Sequence, residues 1–186
     1  MELLSERLIL REFAEGDKHN LYKLFTEKYV QTYEEHLQIK HITDVENYLA
    51  FHINNTNSGD RTHFYYAIEL QKTREFIGII GYTFVEKLKH NDIVGYVAEL
   101  EYYLLEEHQG SGYMPEALKR IFSHAFASKN IIKLFAQCRK SNVNSEKVMI
   151  KCGMYKSASQ PKPKSSYGVL EERVRYEMTV DEYKRG

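Results

Sequence analysis

Met114, Ala117, Leu118, Ile121, Phe122, Ala125 and Phe126 recur at offsets of three and four, with Glu116, Lys119, Arg120 and Ser123 on the other face. This periodicity predicts one amphipathic helix. Pro115 falls in its first turn, where a missing N–H costs nothing. Ahead of it, Ala98 to Leu105 is rich in aromatic and branched residues and reads as a largely buried strand. Gln109-Gly110-Ser111-Gly112 joins the two, and its glycines let the backbone turn tightly and approach a ligand closely.

The flanking pattern builds out from this unit. Leu8 and Leu10 alternate with Ile9 and Arg11, a first strand from Arg7 to Phe13. Gly16-Asp17 opens a helix with Leu21, Leu24 and Phe25 on one face. Thr43-x-x-Glu46 has the form of a capping box, and Val45, Tyr48, Leu49, His52 and Ile53 behind it predict a second amphipathic helix. The polar cluster from Asn54 to Asp60 ends it. Phe64, Tyr66, Ile68 and Leu70 alternate with Tyr65, Ala67 and Glu69, as in a half-exposed strand. The short turn from Gln71 to Arg74 leads into the apolar run Phe76 to Val85, so these two strands form an antiparallel hairpin. Glu86 to Asp92 reads as a polar connection.

Beyond the central helix, Ile132 to Cys138 is a further strand. A strand, helix and parallel strand make a βαβ unit, whose ligands bind beyond the carboxyl ends of the strands, where the glycine loop lies. Asn142 or Asn144 can cap the next helix, which stops at Gly153. Met154 to Ser157 begins another strand, Ser159 to Ser166 is a flexible connection, and Val174, Tyr176 and Met178 mark a last strand. No internal repeat is visible, and residues 1–186 are expected to form a single domain.

Composition narrows the function. Twenty-six Lys and Arg balance 26 Asp and Glu, so no basic field draws the chain to nucleic acid or anionic lipid. The start is too charged for a signal peptide and no apolar run is long enough to span a membrane, which makes the cytoplasm the expected compartment. Cys138 and Cys152 are expected to be free core thiols. The eight histidines show no paired ligand spacing, so no metal site is expected. His52 lies on an apolar stripe and reads as a hydrogen-bonded core residue, and His124 reads as solvated.

A glycine loop entering a helix gathers unpaired N–H groups at the positive end of a dipole, which suits phosphate. The loop lacks the Lys-Ser/Thr of a nucleotide P-loop and the three glycines of a dinucleotide fold. Taken alone it could also be a turn that only starts a helix. However, Gln109, Gly112 and, imperfectly, Met114 resemble the Gln/Arg-x-x-Gly-x-Gly/Ala pyrophosphate loop of the GNAT superfamily of N-acetyltransferases. Asn142-Val-Asn-Ser145 with Lys151-Cys-Gly153-Met154 resembles the Asn-x-x-Ser…Lys-x-Gly-Phe block of the Rim-type, ribosomal-protein branch. Arg7-Leu-Ile-Leu-Arg11 resembles that branch's first strand.

The resemblance implies a mixed α/β (α+β) fold: a mostly antiparallel sheet of about six or seven strands, flanked by about four helices around the βαβ cofactor unit. It implies acetyl-CoA as co-substrate, with no metal, and a primary amine as acceptor, either a protein N-terminus or a small amine. In the reaction the amine attacks the thioester carbonyl and CoA leaves as a thiolate. The amides of Gly110, Ser111, Gly112, Tyr113 and Met114 would hold the pyrophosphate. Main-chain groups of Tyr103, Leu104 and Leu105 would meet the pantetheine where the family's fourth strand splays from the fifth.

Glu99 and Glu101 are the candidate bases, on one face of the strand and about 7 Å apart. Glu99 ranks first, because it stands closest to the family's strand-four glutamate. Glu101 could instead shape the charge of the acceptor site, and both could be a surface pair. The family's acid tyrosine is missing near Met149, so the resemblance leaves Ser145 to face the sulfur and Asn142 to meet the pantetheine arm. Both could equally be helix-capping residues. A non-catalytic acyl-CoA-binding module of the same fold is the competing reading. The oligomeric state stays open, a homodimer included.

Overall fold

The computed structural model describes residues 2–34, 37, 39–90, 93–128, 130–159, 161, 164–166 and 169–185. In chain order the elements are β1 (Glu2–Leu4), β2 (Leu8–Glu12), α1 (Lys18–Thr26), α2 (Lys28–Tyr33), α3 (Ile42–Thr56), β3 (His63–Leu70), β4 (Phe76–His90) and β5 (Ile93–Leu104). Next come α4 (Tyr113–Ser128), β6 (Ile131–Arg139), α5 (Val143–Lys151), β7 (Tyr155–Lys156), β8 (Lys164–Ser166), β9 (Val169–Glu171), β10 (Arg173–Thr179) and α6 (Val180–Arg185). Eight strands share one sheet in the order β1-β2-β3-β4-β5-β6-β10-β7. Each pairing described residue by residue is antiparallel except β5 with β6. The mostly antiparallel α/β architecture stands, with more elements than the sequence suggests. β1, α2 and α6 are too short to show a periodicity.

The chain divides into two compact units, one holding residues up to Thr83 with Glu101–Arg120, the other Phe84–Leu100 with the chain from Ile121 on. In the first unit, β2, β3 and the start of β4 form an antiparallel meander, with Leu10 opposite Ile68 and Ala67 opposite Ile79. Leu21, Leu24 and Phe25 of α1 and Val45 and Leu49 of α3 pack on Ala67, Ile79, Tyr103 and Leu105. These are the faces that the spacing predicts.

β3 departs from the half-exposed strand expected of it, because six consecutive residues, Phe64 to Glu69, are buried. α1 and α3 pack over Ala67 on one face, and Phe64, Tyr66 and Ile68 on the other are buried as well. Glu69 tolerates burial because two guanidinium groups hold it, Arg11 Nε at 2.5 Å and Arg74 Nε at 3.0 Å. The other two nitrogens of Arg11 donate to Asp17 at 2.6 and 2.7 Å. A buried charge survives only when paired in this way.

α3 does not start at Thr43. Its carboxylate cap is Asp44, which accepts from the amides of His41 at 2.8 Å and Lys40 at 2.9 Å. A cap contributes about 1 kcal/mol, whereas burying Val45 or Leu49 contributes about 1.5–3 kcal/mol each. The apolar stripe therefore decides the helix and the cap only trims its start.

His52 is a core residue but not a hydrogen-bonded one at Nδ1, which is buried and meets no partner among the described residues. Its ring lies 4.4 Å from those of Tyr48 and Tyr65 and edge-on to Phe13 at 5.7 Å. Burial, with His63 and Arg61 adding to it, pushes its pKa down to about 3. The unfolded chain therefore takes up a proton near pH 6.5 that the folded chain refuses. Stability should be fully present above pH 6.5 and fall, by at most about 1.4 kcal/mol per pH unit from this group, as pH drops toward 3. His52→Phe should flatten the acid side of a melting-temperature profile; an unchanged slope would assign acid lability to other groups.

In the second unit β6 pairs with β10 along its length, from Arg139 opposite Arg173 to Lys133 opposite Thr179. β7 adds to β10. α5 ends as the sequence predicts: Gly153 has φ +80°, its amide reaches Ile150 O at 2.9 Å and that of Met154 reaches Met149 O at 3.1 Å. This pair of bonds is a Schellman motif. Residues 86–90, expected to be a polar connection, extend β4 as strand; Asn91 and Asp92 lie outside the described residues. The end of the expected flexible connection forms β8, which pairs with β9 beyond it, Ser165 opposite Leu170. Cys138 and Cys152 are both buried and in no disulfide. His124 is half-buried rather than solvated.

Candidate active site

The loop after β5 is built for its conformation. Gly110 has φ +77° and Gly112 φ +80°, a region that residues with a Cβ rarely adopt. Gly110 and Ser111 are exposed, while Met114 turns inward and is buried. The amides of Gly110, Ser111, Gly112, Tyr113 and Met114 meet no protein acceptor among the described residues. They stand at the N-terminus of the 16-residue α4, where partial positive charge collects. Gln109 ties the loop back to β5, its Nε2 donating to Leu104 O at 3.2 Å.

That bond, and Leu105 N–H donating to Ile77 O at 2.9 Å, commit two of the main-chain groups expected to face pantetheine to partners inside the protein. Among the described residues the parallel ladder of β5 with β6 runs only from Tyr96–Ile131 to Glu99–Phe135, although β5 continues to Leu104 and β6 to Arg139.

Glu101 accepts a short hydrogen bond from the Tyr65 hydroxyl, which also accepts from Thr83 Oγ1 at 3.4 Å. The Tyr48, Tyr65 and Tyr103 hydroxyls are held well above the usual phenol range, by burial first and then by the negative charge of Glu101. At neutral pH all three are therefore protonated, Tyr65 donating to Glu101 and Tyr48 and Tyr103 feeling its charge. Tyr103 also packs edge-on to Phe25 at 6.3 Å, which fixes its ring.

In the second unit Glu99 Oε1 accepts from Gln137 Nε2 at 2.5 Å. Asn142 is buried and caps α5, its Oδ1 accepting from the Ser145 amide at 3.1 Å. Of the two asparagines that the sequence leaves open, Asn142 is thus the cap. Ser145 is half-buried in the first turn of that helix.

The predicted residues divide between the units: Glu101, Tyr103, Leu104, Leu105 and the loop in the first, Glu99, Asn142 and Ser145 in the second. Sequence reasoning missed Tyr65 and Gln137, the partners of Glu101 and Glu99, and the contact of Arg7 with the loop, its Nη1 donating to Ser111 O at 3.1 Å. Tyr65 carries a usable signal, a large phenol in a strand next to small Ala67. Gln137 carries none, because its pairing with Glu99 depends on the β5–β6 register. Among the described residues no group of His, Cys, Asp or Glu could hold a metal ion, and no helix is long and apolar enough to cross a membrane.

Comparison with known proteins completes the picture. The uncharacterized N-acetyltransferase YnaD of Bacillus subtilis (strain 168) is 27% identical over 183 residues, covering 92% of this chain and 98% of its own. A solved structure of RimL, a ribosomal L7/L12 alpha-N-protein acetyltransferase in complex with coenzyme A, superposes with a TM-score of 0.81 at 19% identity, covering 98% and 99% of the two chains. Spermidine N-acetyltransferase from Vibrio cholerae, in complex with CoA and spermine, superposes with a TM-score of 0.77 at 17% identity over 96% and 98%. At such identities the two structures speak for the fold. The model of the acetyltransferase (GNAT) domain family matches residues 7–155. With that match over most of its length, the chain belongs to the GNAT family and is an acetyl-CoA-dependent N-acetyltransferase.

Proposed function

We propose that the acceptor is a primary amine received as its ammonium ion at Glu101, and that Glu99 is the base that readies it for attack. The observation that carries this reading is the Tyr65 phenol donating to Glu101, with the aromatic side chains of Tyr48 and Tyr103 near enough to feel its charge. Burial, and after it the charge of Glu101, keeps all three phenols protonated. A carboxylate framed by aromatic groups suits a cation, which gains from the charge and from the ring faces together.

The steps balance simply. The ammonium gives a proton to Glu99, directly or through water, and the neutral nitrogen attacks the thioester carbonyl. The C–N bond forms, the C–S bond breaks and CoA departs as a thiolate; the second proton leaving the nitrogen passes through the Ser145 hydroxyl to the sulfur, so the serine ends as it began. The amides of the glycine loop hold the diphosphate, and Asn142 supports the pantetheine arm while it caps α5. RimL is a ribosomal L7/L12 alpha-N-protein acetyltransferase and the Vibrio cholerae enzyme a spermidine N-acetyltransferase; these frame the two acceptor classes, a protein N-terminus and a small amine.

A screen that follows free thiol release from acetyl-CoA decides between them. Alkyl diamines and polyamines should turn over, and Glu101→Gln should raise their KM by about 10–100-fold, the effect of one lost charge-assisted contact. Turnover confined to peptide α-amines, with no KM change in Glu101→Gln, would overturn the ammonium reading and leave Glu101 without this role.

A further inference from the structure

We propose that Arg7 is the positioning residue of the diphosphate loop, and that it also cancels a carboxylate which would otherwise oppose CoA. This rests on the reading that the loop amides bind the diphosphate. Arg7 lies between β1 and β2, far from the loop in sequence, yet it touches the loop region at four points. Its backbone amide donates to Glu116 Oε1 at 2.7 Å and its Nε to Glu116 Oε2 at 2.7 Å. Nη1 donates to Ser111 O at 3.1 Å, and the guanidinium carbon stands 4.6 Å from the centre of the Tyr113 ring. Ser5 Oγ adds a bond to Glu116 Oε1 at 2.8 Å.

Two consequences follow from this geometry. The bond to the Ser111 carbonyl pins the peptide between the two glycines, each of which has φ near +80° and so little resistance of its own to turning. With that carbonyl held, the neighbouring amides keep their aim. The second consequence is electrostatic. Glu116 sits in the first turn of α4, where a carboxylate is good for the helix but repels a diphosphate bound at the same end. Burial pushes its pKa up, but the Arg7 amide, the Ser5 hydroxyl and the Arg7 guanidinium outweigh that and hold it below the usual range, so Glu116 is ionised. Arg7, with a pKa raised chiefly by its bond to Glu116, is charged throughout and makes the pair neutral.

The test is calorimetric titration of CoA, dephospho-CoA and pantetheine into the full chain and its variants, with parallel kinetics. Arg7→Gln should weaken CoA and dephospho-CoA alike by about 10–100-fold, as expected for losing charge-assisted contacts. The KM for acetyl-CoA should rise by that factor while kcat moves less than about threefold, and kcat/KM for acetyl-CoA relative to acetyl-pantetheine should fall with it. Adding Glu116→Gln to Arg7→Gln should restore part of the lost affinity, because the opposing carboxylate has gone. A residue that only braced the fold would give further loss instead, and that result would overturn the proposal, as would wild-type CoA affinity in Arg7→Gln. Should Arg7→Gln fail to fold, Arg7→Lys serves: it keeps the charge but not the fork, and an intermediate loss is expected. Gly112→Val separates the two readings. If it leaves CoA affinity intact, the loop reading itself falls; if it lowers affinity while Arg7→Gln does not, only the role of Arg7 falls.

Discussion

Glu99→Gln is expected to lower kcat by about 10²–10⁴-fold, the range a positioned base contributes. The substitution removes the group that takes the proton while changing almost nothing else. An amide in place of the carboxylate can still accept from Gln137 Nε2, the 2.5 Å contact that holds the native side chain against β6. Glu99 makes none of the contacts proposed for the diphosphate or the pantetheine, so CoA affinity should stay within about twofold of the native value. Steady-state kinetics with a saturating amine, beside a CoA titration, reads both quantities. Full turnover in Glu99→Gln and in Glu101→Gln alike would remove the base from this strand.

The second large effect is expected at Gly112. A β-branched side chain is strained at φ +80°, by about 1–3 kcal/mol, and the backbone relieves the strain by turning away. Turning re-aims the very amides proposed to meet the diphosphate. Gly112→Val should therefore weaken CoA by about 10–100-fold. It should lower the melting temperature by only a few degrees, since the loop is at the surface and a Cβ there would meet no atom closer than Arg7 Nη2, at 3.6 Å. Gly110→Val, where a Cβ meets nothing within 4 Å, isolates the conformational part of the loss. Native affinity in both variants would show that the loop binds in some other way.

Much of this was readable in the residues. Leu21, Leu24 and Phe25, or Val45 and Leu49, fall at helical spacing and end in one core, because burying apolar area outweighs local preferences. Gly110 and Gly112 announce the loop, since positive φ selects their type. What could not be read depends on partners distant in sequence. β3 alternates like a half-exposed strand, yet α1 and α3 cover the Ala67 face and the opposite face, Phe64, Tyr66 and Ile68, is buried too. Asp44, not Glu46, caps α3, because the choice between two nearby carboxylates turns on where the preceding chain arrives. In the site, Glu101 is visible as a charge in an apolar strand, while its hydrogen-bond donor, Tyr65, comes from β3, 36 positions earlier. Arg7 and Glu116 are 109 positions apart, beyond the reach of any local pattern.

The burial of both cysteines has a practical side. Thiol-reactive dyes attack accessible thiolates, and Cys138 and Cys152 are only 2% and 7% exposed. A chromogenic disulfide mixed with the working enzyme should thus colour in proportion to cleaved thioester, with little background from the protein. Should the chain open on warming, the same reagent would label those two sulfurs, so one cuvette would report turnover below the melting transition and unfolding above it.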